Sequence, residues 1–255
     1  MITRVWRLTG TAACFLLFGL GGMVLRWAVF PLLRVTVGAP ERQQRAARRI
    51  IQLAFRAFVG VMTHIGVIRV ELQGAERLKQ PGALVLANHP SLIDVVFLMA
   101  FTGNANCIVK AALLRNPFTR APVQMAGFLR NSEGPGLVDD AVASLQRGSS
   151  LIVFPEGTRT PACGEMHLLR GAARIAVRAR HDVTPVIIHC KPPFLAKQAP
   201  WWHAPDRRVQ IRIEVCDDIL IGPIIERAGN EPQAARELTR NLHHLFTQEL
   251  SRGNA

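Results

Sequence analysis

From residue 67 onward the chain repeats one pattern: short apolar runs, each closing on a turn or a polar cluster, separated by stretches of helical periodicity. Ala83 to Ala87 follows Pro81-Gly82, while Cys107 to Val109, Leu151 to Phe154 and Val183 to Ile188 are further continuous runs. Short unbroken runs of this kind read as strands buried on both faces. Val67 to Leu72 and Val209 to Val215 alternate apolar with polar residues, as half-buried strands do. Helices are expected at Val95 to Phe101, Leu137 to Gln146, Leu168 to Arg180 and Pro232 to Leu250. Asp139 and Asp140 suit the first turn of the second, and Leu169, Ala172, Ala173 and Ala176 line one face of the third. Strands alternating with helices predict an α/β fold over residues 66–255: a single domain with a central mixed sheet flanked by helices.

The first 65 residues follow a different rule. Thr9 to Leu25 carries no charge, and beyond Arg26 the apolar character resumes from Trp27 to Leu33. A bilayer is crossed by about 20 apolar residues, so one interrupted helix or a re-entrant pair fits. Arg4 and Arg7 before an apolar stretch also suit a secretory leader. Gly19 to Gly22 leads straight back into apolar sequence, however, with no small-x-small cleavage site, which favours an uncleaved anchor. Next, Arg42, Arg45 and Arg49 recur at spacings of three and four on one helical face, with Ile50, Leu53, Ala54, Ala57 and Phe58 on the other. A basic amphipathic helix of this kind suits an anionic membrane surface; a helix packed on the domain fits the same pattern. Residues 1–65 are thus expected to form an N-terminal membrane-associated helical segment. Arginines after the first apolar segment place the globular part on the cytoplasmic side, with a bacterial inner membrane as the expected location.

With 31 Lys and Arg against 18 Asp and Glu, the formal net charge of +13 calls for anionic partners. Nucleic acid fits poorly: aromatics are 6% with no Tyr to stack bases, and zinc-finger, RNA-binding and basic-zipper signatures are missing. Membrane lipids fit better. Cys14, Cys107, Cys163, Cys190 and Cys216 are scattered, odd in number and without a C-x-x-C pair. They read as small apolar residues in a reducing compartment rather than as a disulfide or zinc framework.

Two polar clusters sit where strands end, the usual place for chemistry in open α/β sheets. The first is Asn88-His89-Pro90-Ser91-Leu92-Ile93-Asp94. Pro90 suits the first turn of a helix, which puts Asp94 about one turn in, able to fold back towards His89. Such a carboxylate fixes the imidazole tautomer and leaves the other ring nitrogen as a general base. Ser91 lacks a G-x-S-x-G elbow and makes a poor nucleophile, so a substrate hydroxyl is the better candidate; a plain structural pair is the alternative. The second cluster, Phe154-Pro155-Glu156-Gly157-Thr158-Arg159-Thr160, offers close backbone approach at Gly157 and donors for an anion at Thr158 and Arg159. An ordinary turn capped by a salt bridge fits it too, and a P-loop does not.

Together these clusters resemble the glycerolipid acyltransferase family, best known from lysophosphatidic acid acyltransferases. Asn88, His89 and Asp94 match N-H-x-x-x-x-D, Phe154 to Arg159 match F-P-E-G-T-R, and Val183-Thr184-Pro185-Val186 approaches a Val-Pro-Val block. The resemblance spans roughly residues 65 to 220. It implies an O-acyltransferase of the 1-acylglycerol-3-phosphate type, with His89 and Asp94 as the catalytic pair. Asn88, Glu156, Gly157, Thr158, Arg159, Lys110 and Arg130 would then lie at the substrate, with acyl-CoA or acyl carrier protein as donor and neither metal nor resident cofactor. The sequence departs from the family at Ala112, where an acidic residue is usual, and at the shortened Gly127-Phe128-Leu129-Arg130 stretch. That leaves room for another acceptor: a lysophospholipid, an ornithine lipid precursor or a polyene lipid. A thioester hydrolase and a catalytically silent membrane module are the remaining alternatives.

Overall fold

The computed structural model describes residues 2–131, 136–161, 166–200, 202 and 205–252; Cys163 lies outside them. Seven strands form one mixed sheet: β1 (Ile68–Gln73), β2 (Leu84–Ala87), β3 (Ala105–Lys110), β4 (Leu129–Asn131), β5 (Ser150–Val153), β6 (Val183–Lys191) and β7 (Val209–Val215), in the order β1-β7-β6-β2-β5-β3-β4. The five strands from β6 to β4 run parallel, β7 is antiparallel to β6, and β1 is parallel to β7. All four residues of both β2 and β5 are buried, as continuous apolar runs require. β7 alternates buried Val209, Ile211 and Ile213 with exposed Gln210 and Arg212.

Side-chain alternation divides the core in two. Val85, Ala87, Cys107, Val109, Ile152, Val186 and Ile188 face α3 (Pro40–His64) and α4 (Asp94–Phe101). Leu84, Leu86, Leu151, Val153, Val183 and Ile187 face α6 (Gly136–Gln146), α7 (Gly171–Ala179), α8 (Ile221–Ala228) and α9 (Glu231–Arg252). In α9 the buried residues Ala234, Leu238, Leu242 and Phe246 recur every fourth position, and each large side chain so buried stabilises by about 1.5–3 kcal/mol.

Three elements differ from expectation. Pro90 lies in a turn before α4, not in its first helical turn, because Asp94 N–H bonds back to Ser91 O and delays the helix until Asp94 itself. Leu168 and Leu169 lie outside the helix, where Leu169 N–H donates to Pro155 O, and α7 opens only at Gly171. On α3 the buried face is Ala47, Arg48, Ile51, Gln52, Val59 and Met62, while Leu53 and Ala57 remain exposed. Arg48 can sit there because it reaches Ala126 O at 2.8 Å, Ser149 Oγ at 2.5 Å and Asn104 Oδ1 at 3.4 Å. Gln52 donates to Thr102 O at 2.9 Å. These bonds offset desolvation that brings the Arg48 guanidinium down to about 10.

The N-terminal segment is one helical rod. It runs as α1 (Ile2–Val24), a π-helical stretch at Leu25–Val29 and α2 (Phe30–Thr36). Arg4–Thr36 is 33 residues long and contains an 18-residue stretch of mean hydropathy 1.9 that is only 11% buried, long and apolar enough to cross a membrane. It meets the rest of the chain along its length: Cys14, Phe30 and Leu33 are buried in the core, and Phe18 stacks on Phe55 and meets Phe58 edge-on. Trp6 Nε1 donates to Ile65 O, and Arg26 Nη1 to Pro117 O.

Candidate active site

β2 and β5 are hydrogen-bonded neighbours in parallel register, Leu86 opposite Val153. The segments leaving their carboxyl ends, Asn88-His89 and Phe154-Pro155-Glu156, therefore emerge side by side. The backbone knits them together. His89 N–H is shared between Glu156 Oε1 at 3.0 Å and Thr160 Oγ1 at 3.1 Å, and His89 O accepts from Thr160 N–H at 2.7 Å. Thr160 Oγ1 in turn donates to Glu156 Oε1 at 2.6 Å. The His89 ring lies against Phe154 with centroids 4.2 Å apart and planes 20° from parallel.

That packing fixes which ring nitrogen faces which partner. Nδ1 of His89 is 2.8 Å from Asp94 Oδ2, which also accepts the Ser91 N–H at 2.7 Å. Asp94 is completely buried and the His89 side chain is 17% exposed, so Nε2 is the nitrogen left for a ligand. Burial raises the Asp94 carboxyl to about 6, with the hydrogen bond to His89 opposing the rise. Burial also raises Glu156, against the pull of its bond from Thr160. Ser91 is fully buried and its hydroxyl has no hydrogen-bond partner among the described residues, which removes it from any nucleophilic role at the surface. Burial pushes the thiols of Cys107 and Cys190 up to about 12 and that of Cys216 to about 11, keeping them protonated and unreactive.

The other residues singled out by sequence are placed unevenly. Asn88 is fully buried, and its amide both donates to Ile188 O at 2.9 Å and accepts from Ile188 N–H at 2.7 Å. Instead of facing a substrate, it locks the loop after β2 to β6. Glu156 is 6% exposed and bonds to the loop of His89. Gly157 is exposed with φ +65°, a conformation that strains any other residue but Asn or Asp, and an added Cβ would lie 2.7 Å from Leu169 Cδ1. Thr158 and Arg159 are half-buried, and Arg159 Nη1 donates to Leu195 O at 2.8 Å and Ala196 O at 2.9 Å. Lys110 is exposed at the end of β3 and Arg130 is exposed in the middle of β4. Arg130 pairs with Val109 and Lys110 with Asn131, so alternation sends them to opposite faces. Arg130 shares the face of Val109 and Phe154, and Lys110 does not.

Sequence reading missed Thr160 as the pin between the two loops, Phe154 as the plate behind the imidazole, and the carbonyls of Leu195 and Ala196. Thr160 and Phe154 had a signal in their place within the second cluster; backbone carbonyls leave none. Among the described residues, no group of three His, Cys, Asp or Glu side chains converges to hold a metal ion.

Comparison with known proteins bears on this arrangement. The acyltransferase family model matches residues 69–189, which include both loops. The 1-acyl-sn-glycerol-3-phosphate acyltransferase of Pseudomonas aeruginosa is 27% identical over 220 residues, covering 84% of this chain and 81% of that protein. The enzyme of the same name from Borreliella burgdorferi is 23% identical over 156 residues, 58% of this chain and 62% of its own length. Among solved structures, the 1-acyl-sn-glycerophosphate (LPA) acyltransferase PlsC from Thermotoga maritima superposes with a TM-score of 0.73 at 18% identity, over 98% of both chains. Over residues 69–189 the chain is similar to the acyltransferase family, and its fold is that of the Thermotoga maritima enzyme.

Proposed function

We propose that the protein transfers a fatty acyl group from a thioester donor, acyl-CoA or acyl carrier protein, to a hydroxyl of a lysophosphatidic acid-like lipid. The observation that carries this reading is the 2.8 Å contact of His89 Nδ1 with buried Asp94, which leaves Nε2 on the open side of the ring. Nε2 takes the proton of the acceptor hydroxyl as its oxygen attacks the thioester carbonyl. The carbon–sulfur bond then breaks, and the imidazolium returns the proton to the departing thiolate. Asp94 stabilises the imidazolium between these steps, and general-base help of this kind contributes about 10²–10⁴ in rate. Thr158, Arg159 and Arg130 supply donors for the anionic headgroup, with Gly157 allowing close approach; Asn88 and Glu156 hold the loops that carry them.

Relatives named for 1-acyl-sn-glycerol-3-phosphate support the choice of acceptor. In this reading residues 1–65 hold the chain at a membrane, and residues 66–255 perform the chemistry from the cytoplasmic side. The apolar rod Arg4–Thr36 supports membrane association.

The test supplies labelled acyl-CoA to purified full-length protein in vesicles, with lysophosphatidic acid, with other lysolipids and with none. Label moving into phosphatidic acid only when the lysolipid is present is the expected result. Free fatty acid released at one rate in every mixture would assign a thioester hydrolase instead.

A further inference from the structure

Residues 192–200 follow the family-matched segment, which ends at residue 189, yet they reach back into the site. Leu195 is the meeting point. Its carbonyl accepts two hydrogen bonds: from Leu92 N–H, in the loop of His89, at 3.1 Å, and from Arg159 Nη1, in the loop of Glu156, at 2.8 Å. Ala196 O takes Arg159 Nη1 as well, at 2.9 Å. Leu195 itself is 7% exposed and adopts φ +49°, the left-handed region that costs a leucine free energy unless its surroundings hold it there. Here the buried side chain packs in the core beside Phe194, and the resulting twist aims two successive carbonyls at one guanidinium.

A guanidinium is a rigid planar fork, so fixing one nitrogen fixes the direction of the others. Among the described residues, every hydrogen bond made by Arg159 leaves from Nη1. Nε and Nη2 therefore remain for a ligand.

We infer that the carbonyls of Leu195 and Ala196 are positioning groups for acceptor recognition: they orient Arg159 so that its remaining N–H edge meets the phosphate of the acceptor lipid. The inference rests on the acyl-transfer reading above and adds to it a residue outside the family pattern. Leu195 touches no substrate and acts through Arg159. It also binds the acceptor site to the backbone of the catalytic loop through Leu92, so the two loops keep one spacing.

The experiment weakens the Leu195 carbonyl as an acceptor; it also removes the N–H of Ala196. Replacing residue 196 by the α-hydroxy acid counterpart of alanine turns the 195–196 peptide into an ester, whose carbonyl is a poorer hydrogen-bond acceptor, and leaves every side chain in place. The KM for lysophosphatidic acid is measured in four full-length proteins: native, ester, Arg159→Met, and the two combined, each checked for native circular dichroism. Weakening one such bond raises that KM by about two- to ten-fold. Arg159→Met raises it further, and the ester adds nothing to the KM in the Arg159→Met background, because acceptor affinity depends on the Leu195 carbonyl through the missing guanidinium, whereas its weakened bond to Leu92 N–H is read in kcat. An unchanged KM in the ester protein, a native KM in Arg159→Met, or full additivity in the combination overturns the inference while leaving acyl transfer intact. Native protein that acylates no lysolipid at all removes the parent reading, and this one with it.

Discussion

Asp94 has no exposed surface, and its Oδ2 lies 2.8 Å from Nδ1 of His89. The carboxyl sits at about 6 where 3.8 is ordinary, because burial outweighs the favourable bond from the imidazole. Folded protein therefore holds the Asp94 proton more tightly than the unfolded chain does. Between roughly pH 4 and 6 the native state carries more protons, so the Asp94 contribution to stability falls as pH rises through that window. Activity runs the other way, since only the ionised carboxylate supports an imidazolium. A pH series should show kcat falling below about pH 6 while this contribution favours the fold. A rate that holds level from pH 7 to pH 4.5 would separate Asp94 from the chemistry.

The same burial makes Asp94→Asn informative. The amide keeps the shape and removes a desolvated charge, one of whose oxygens, Oδ1, has no hydrogen-bond partner among the described residues. Activity is expected to drop by about 10²–10⁴, while the thermal midpoint at neutral pH stays level or rises. A midpoint well below native would instead mean that the charge stabilises the fold.

Asn88→Leu probes the scaffold. Two buried backbone groups of Ile188 lose their partner, which costs about 2–5 kcal/mol for the two together. The urea midpoint should fall accordingly, and activity at low temperature should fall with it as the loop of His89 loosens. A midpoint within error of native would mean that Ile188 finds other partners.

Much of this was readable before the fold was known, because buried strands advertise themselves. Leu84 to Ala87 and Leu151 to Val153 are apolar on both faces, and polar residues immediately after them had to be loops at one edge of a sheet. β4 escaped notice because its three residues at the sheet edge include only one apolar side chain, Leu129. The α3 face was misjudged by polarity: Arg48 and Gln52 look like surface residues until Ala126 O, Ser149 and Thr102 O are brought to meet them. Those acceptors come from distant turns, and all three hydrogen bonds that place Leu195 O and Ala196 O against the site are accepted by backbone carbonyls. Side-chain patterns carry no trace of such partners.

Gly22 tests how the N-terminal rod is seated. A Cβ there would stand 2.6 Å from the backbone oxygen of Phe118, which has little freedom to retreat, whereas a Cβ on neighbouring Gly21 meets nothing. Gly22→Ala should destabilise by about 1–3 kcal/mol through overpacking, seen as a lower melting temperature in detergent. Gly21→Ala should leave melting unchanged or raise it slightly, as expected for Ala over Gly within a helix. Equal behaviour of the two variants would mean that the rod is not held at Phe118.

The central claim, that His89 is the base, is met most directly by single-turnover acyl transfer with His89→Ala in vesicles saturated with lysophosphatidic acid. The predicted result is a loss of about 10²–10⁴ in the rate of the chemical step, with the affinity for lysolipid within a few-fold of native. Transfer at the native rate without the imidazole would contradict it.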